Sequence, residues 1–170
     1  MKNFKHALAV SALVLASTSA MAGWSVGGGY TNLSDSADGV DLSLGVLSAN
    51  VGYSFESASS DWSVMPELRV GTGIQDDIVY DAGVEVERLI VLSTRFNYQA
   101  TDAVSFFIQP SYANLKVKAS YMGMSATDDE WEFGVGGGSN FKLSDQWSLE
   151  ALYESYDGSN AISFAARYSF

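Results

Sequence analysis

The chain has 170 residues, with 20 acidic and 9 basic side chains, one histidine and no cysteine. At roughly 100–200 residues per domain that length makes one domain, and the missing cysteines exclude a disulfide scaffold, a Cys-ligated metal site and thiol catalysis. A formal charge of −11 argues against nucleic acid, whose binding rests on Lys and Arg, and an apolar share of 47% excludes a disordered acidic tail.

Residues 1–22 read as a secretory signal peptide. Lys2 and Lys5 form a basic start, Ala7 to Ala16 is an apolar run, and Ala20-Met21-Ala22 supplies a small-residue cleavage site. No later stretch approaches the ~20 apolar residues of a membrane-spanning helix. Cleavage after Ala22 leaves 148 of the 170 residues; it removes two lysines and no acid, so the net charge goes from −11 to −13. It also removes His6, the only histidine, so the usual imidazole base and imidazole metal ligand are absent from residues 23–170.

Period-2 alternation runs through 23–170, a single domain. Eight strands are predicted at about 24–32, 40–55, 62–72, 84–99, 103–119, 130–143, 147–156 and 161–170. In the third, Trp62, Val64, Pro66, Leu68 and Val70 alternate with Ser63, Glu67 and Arg69. The fourth sets Leu92, Thr94, Phe96 and Tyr98 against Ser93, Arg95, Asn97 and Gln99, and the fifth sets Val104, Phe106, Ile108, Pro110 and Tyr112 against Ser105, Gln109 and Ser111. The last three continue with Trp131–Phe133–Val135, Trp147–Leu149–Ala151–Tyr153 and Ile162–Phe164–Ala166–Tyr168–Phe170. Short connections (Ser57–Asp61, Ala100–Asp102, Ser144–Gln146) alternate with mostly longer ones (Leu33–Gly39, Gly73–Gly83, Met122–Asp129, Asp157–Asn160), as in an up-and-down meander. Pro66 and Pro110 should each mark a bulge or a position with no donor to pair.

Which face points outward decides the class. An eight-stranded barrel holds only enough side chains to fill it. The bulky aromatic set would overfill that space, whereas the Gly/Ser/Glu/Arg set fits. The aromatic face therefore looks out, and only lipid tolerates that. Tyr53, Phe55, Trp62, Phe96, Tyr98, Phe141, Trp147, Tyr168 and Phe170 lie beside the short turns, while Tyr30, Tyr112, Trp131 and Tyr153 lie towards the long loops. These are two aromatic girdles. The expected fold is all-β: an eight-stranded antiparallel up-and-down transmembrane β-barrel.

The segment from Gly134 to Tyr153, with its Gly-Gly-Gly run at 136–138 and Trp147-Ser-Leu-Glu-Ala-Leu-Tyr153, resembles the penultimate hairpin of OmpA-like outer-membrane β-barrel proteins. The ending Ala166-Arg-Tyr-Ser-Phe170 is similar to their last strand. The resemblance implies a bacterial outer-membrane location and an assembly signal at Tyr168 and Phe170, read by the barrel assembly machinery. It also implies contact with outer-membrane lipid and lipopolysaccharide, and a monomer.

Chemistry is sparse. The glycine run at 134–138 lacks the Lys-Ser/Thr of a phosphate loop; Gly134, Gly136 and Gly138 share the inward face and make room for long neighbours. Asp128-Asp129-Glu130 and Asp76-Asp77 lack EF-hand spacing and read as solvated loops. No cofactor and no metal are expected. Glu67, Arg69, Arg95, Glu132, Lys142, Glu150, Glu154 and Arg167 form a predicted interior charge cluster, a salt-bridge plug. A four-residue loop at 157–160 would set Glu150 opposite Arg167, and the 144–146 turn would set Asn140 opposite Glu150 and Gly136 opposite Glu154. The functional expectation is a structural or surface-interaction protein and not an enzyme. The alternative is a narrow channel for ions or small solutes, and a lipid-modifying enzyme ranks last for want of a histidine.

Overall fold

The computed structural model describes residues 23–37, 40–56, 61–79 and 82–170. The signal peptide, with Ala20 and Ala22, and the Ser57–Ser60 part of the first short turn lie outside them. The strands are β1 (Trp24–Ala37), β2 (Val40–Tyr53), β3 (Phe55–Glu56), β4 (Trp62–Gln75), β5 (Asp77–Val79), β6 (Ala82–Gln99), β7 (Val104–Tyr121), β8 (Met124–Lys142), β9 (Trp147–Ser155) and β10 (Ser159–Ser169). Eight of them close a barrel: neighbours pair antiparallel around it, β4 pairs β6, and β10 returns to β1 from Ser25–Ser169 to Asp35–Ser159. The short β3 and β5 continue β2 along β4 and β4 along β6. Closure leaves no open edge, the liability of any lone sheet.

Alternation sends the bulky residues out. Ile108, Phe133 and Phe164 are 60%, 66% and 60% exposed on the bare chain, a surface suited to hydrocarbon and not to water. Rings gather at the short-turn end, where Trp24, Tyr53 and Phe55 stack edge to face, as do Trp147, Tyr168 and Phe170. Trp24 thus joins the girdle expected there. At the other end Tyr112 stacks on Trp131 with ring centroids 5.0 Å apart. On β8, Trp131 and Phe141 mark the two belts; the ten residue steps from one to the other span about 34 Å of strand, or roughly 26 Å of height at a tilt of about 40°. That is a membrane's apolar thickness.

Two local details differ from the sequence expectation. The segment Met122–Asp129 is not a loop: β7 and β8 run on as a hairpin to the pair Tyr121–Met124, turning at Met122 and Gly123 with φ of 48° and 82°. Asp157–Asn160 is not a four-residue loop either. Tyr156 N donates to Ser159 O at 2.9 Å, so the turn is Asp157-Gly158, and the register sets Glu150 opposite Ala165 and Arg167 opposite Ser148. The slip is by two residues, which keeps every side chain on its face. On the other side of β9, Asn140 does face Glu150 and Gly136 faces Glu154.

Neither proline makes a bulge. Pro66 lies where β2 gives way to β3, between the pairs Gly52–Glu67 and Phe55–Val64. Pro110 lies in the gap between Ser93–Ser111 and Phe96–Ile108. In both places the ladder skips pairs and resumes in register, because proline has no N–H to give. The bulges fall elsewhere, at Ile74 opposite Gly45/Val46 and at Glu87 between Val86 and Arg88.

Candidate functional site

The lower interior is a polar core built from the inward residues of β4, β6, β7, β9 and β10. Glu67 and Arg69 come from β4, Arg95 from β6, Glu150 and Glu154 from β9, and Arg167 from β10; each is at most 6% exposed. Four of them form a closed ring of alternating charge. Arg95 grips Glu150 through Nη1 at 2.6 Å and Nη2 at 2.8 Å, and Glu67 through Nη2 at 3.1 Å. Arg167 donates from Nε to Glu150 at 2.7 Å and from Nη2 to Glu67. Arg167 therefore reaches Glu150 diagonally, not as the directly opposite residue.

A second group sits above the ring. Arg69 pairs with Glu154, whose other oxygen accepts from Gln109 Nε2 at 3.0 Å and from the Tyr156 hydroxyl at 3.1 Å. Three arginines meet three glutamates, so the buried charge balances, as it must where an unpaired ion costs several kcal/mol. Arg95 also lies 4.5 Å over the Phe107 ring. Gln109, Tyr156 and Phe107 were not singled out from the sequence; their inward parity was the available signal, and their neutrality hid it.

Glu132 and Lys142 face inward but stand apart from the core. Lys142 is at the short-turn rim, 3.5 Å from Asp145 and half exposed. Glu132 lines the long-loop mouth beside Asp128 and Glu130, and among the described residues no arginine bridges to it. The acidic loop residues serve local structure: Asp77 accepts from Ser43 N and Ile78 N at 2.8 Å each, and Asp129 accepts from Asn114 Nδ2 at 2.6 Å. Among the described residues, no group of three such side chains is placed to hold a metal ion.

The glycines of β8 shape this interior. A Cβ on Gly136 would come within 2.7 Å of Glu154 Cγ, one on Gly138 within 2.5 Å of Phe107 Cζ, and one on Gly134 within 2.5 Å of the Tyr156 ring. Each glycine clears one large neighbour.

The upper interior is not polar, contrary to the sequence expectation. Leu44, Val46, Val86, Leu89, Val91 and Ala113 close it as an apolar cluster, with Leu33, Leu42, Val84, Leu115 and Tyr156 packed against them. The Glu87 bulge makes this possible. It shifts β6 by one residue, so Val84 and Val86 face in before it and Leu89 and Val91 after it. Below the charge ring a vestibule of about 680 Å³ opens at the short-turn end, lined by Asn97, Ser105, Asn140, Ser148 and Lys142 among others. A void of about 100 Å³ lies under the opposite mouth. Between them, beside Arg69, Arg95 and Glu150, is a void of about 10 Å³, barely room for one water.

A closed antiparallel barrel with a lipid-facing apolar surface, two aromatic belts and its ions inside is an outer-membrane barrel. Residues 6–170 match the family described as outer membrane protein beta-barrel domain, and the chain belongs to it; its place is the bacterial outer membrane. Among solved structures it is similar to Ail, the attachment invasion locus protein of Yersinia pestis, at 19% identity and a TM-score of 0.64 over 88% of this chain and 100% of that one. Neisserial surface protein A gives 13% and 0.65 over 88% and 98%. The N-terminal β-barrel domain of Pseudomonas aeruginosa OprF gives 10% and 0.64 over 88% and 98%. At these identities the likeness is one of fold. No curated protein sequence matches the chain.

Proposed function

We propose that this protein is a sealed structural barrel that presents an acidic surface outside the cell. The observation that carries the reading is the filled mid-barrel, where three Arg–Glu charge pairs and an apolar layer leave about 10 Å³ between vestibule and mouth. The three buried carboxylates are each held by an arginine, an arrangement that fixes them and leaves none poised as an acid or base. Short turns belong on the periplasmic side of such barrels and long hairpins outside. The long-hairpin segments 34–44, 74–88, 114–132 and 156–160 carry thirteen acids and three cations. Ail was solved with sucrose octasulfate, a heparin analogue; this chain's outer face is of the opposite charge from one suited to a polyanion, and its partner surface should be cationic.

In the same reading residues 1–22 are an export signal cut after Ala22, the barrel is a monomer, and Tyr168 and Phe170 are read by the assembly machinery. Planar-bilayer recording of the purified chain tests the seal. No steady conductance is expected. A stable open level would replace this reading with the narrow channel, the vestibule serving as its periplasmic entrance.

A further inference from the structure

Residues 23–170 hold seven cations, and their distribution is uneven. Arg69, Arg95 and Arg167 are inside the barrel, and Lys142 is at the periplasmic rim. The remaining three, Arg88, Lys116 and Lys118, gather on one outward patch of β6 and β7. Arg88 and Lys116 are direct partners across the ladder, and Lys118 stands opposite Glu85. The patch lies just above the stacked Tyr112 and Trp131, at the rim of the apolar band. Its side chains are about one-third to one-half exposed. Every other long-hairpin segment is purely acidic.

The patch owes its composition to the Glu87 bulge. By parity with Val84 and Val86, residue 88 would point into the lumen; the inserted residue turns both Glu87 and Arg88 outward. Three carboxylates then hold the cations in place: Lys116 bonds Glu87 and Lys118 bonds Glu85, each at 2.8 Å, and Arg88 bonds Asp129 at 3.2 Å. The hydrogen bond from Lys116 keeps the Glu87 carboxyl below its usual range, and the one to Glu85 pushes Lys118 up, so the pairing favours the charged forms of Glu87 and Lys118. These bonds use a fraction of the donors. Both described bonds of Arg88 leave from Nη2, a guanidinium has five N–H groups, and each ammonium has three.

We propose that Arg88, Lys116 and Lys118 form a binding site for the phosphate groups of an outer-leaflet lipid headgroup. The chemistry is that of a phosphate met by a planar Arg fork and two ammonium groups, with the Tyr112–Trp131 pair beneath as the platform for the glycolipid's apolar part. The site rests on the outer-membrane location and not on the sealed lumen, so a conducting barrel would leave it intact.

The test uses the full mature chain folded in phosphatidylcholine vesicles with or without bis-phosphorylated lipid A. The phosphorylated lipid should raise the thermal unfolding midpoint, as a ligand of the native state does, and the R88Q/K116Q/K118Q variant should lose most of that rise. Changing the acids instead, as E85Q/E87Q, should enlarge it and shows that altering the patch does not itself unfold the barrel. Four results would overturn the proposal: an undiminished rise in the triple variant, an equal rise with dephosphorylated lipid, an equal rise with inorganic phosphate alone, or loss of the rise on chelating divalent cations. The last would assign the contact to metal bridges from the carboxylates.

Discussion

Arg167 bonds Glu150 through Nε, Glu67 through Nη2 and Ser25 through Nη1 at 2.9 Å, and it is 3% exposed. Replacing it by Met would leave two buried carboxylates facing the single guanidinium of Arg95. A lone desolvated charge costs about 3–5 kcal/mol when one partner of a buried pair is removed, so Arg167→Met should lower stability by that order. The double change Arg167→Met with Glu150→Gln leaves Arg95 and Glu67 as a balanced pair and should cost less than the single one. Urea unfolding in lipid vesicles measures both; equal losses would mean that the ring does not couple these residues. The residue types of this ring were legible from inward parity alone. Its connectivity was not, because a guanidinium reaches across the lumen to strands that no hairpin register relates.

At the scale of the element, β10 matters most because it closes the barrel on β1. Its end is held to both neighbours by main-chain bonds, Phe170 N to Trp24 O of β1 at 3.0 Å and Ser169 N to Gln146 O, just before β9, at 2.8 Å. A side-chain change at Phe170 spares them. Phe170→Ser should therefore barely move the unfolding midpoint of the refolded protein, yet lower its level in the outer membrane of cells several-fold if the terminal ring is an assembly signal. Unchanged membrane levels would refute that role. The hairpin before it shows how far sequence carries a register. Asp-Gly is a two-residue turn signal, and Gly158 takes the φ of 86° that favours glycine. The register of a four-residue loop at 157–160 differs from the observed pairing by two residues and keeps both faces, since face depends only on parity.

For the molecule as a whole, the closed ladder predicts resistance to detergent. An unheated sample in sodium dodecyl sulfate should migrate differently from a boiled one, because all eight strands must part together before the barrel opens. Identical mobilities, or a helical far-UV spectrum in mild detergent, would contradict the fold. The ion ring and the apolar layer above it should make this opening a single cooperative step.

The sequence alone determined the strand count, the lipid-facing side and the polar identity of the lower lumen, because in a β-strand the face of a residue follows from counting by two. It also placed both girdles, since ring residues recur at the ends of the alternating segments. The tertiary structure decided what counting cannot reach. Glu87 is an ordinary strand residue in sequence, yet its insertion changes the phase of β6, turning Leu89 and Val91 inward and Arg88 out to the membrane surface. The upper apolar layer also draws on β2, where Leu42, Leu44 and Val46 face in, so the same inward parity that is polar below becomes apolar above. A bulge is set by how two strands fit their partners around a closed circumference. That fit is a property of the whole barrel and of no single segment.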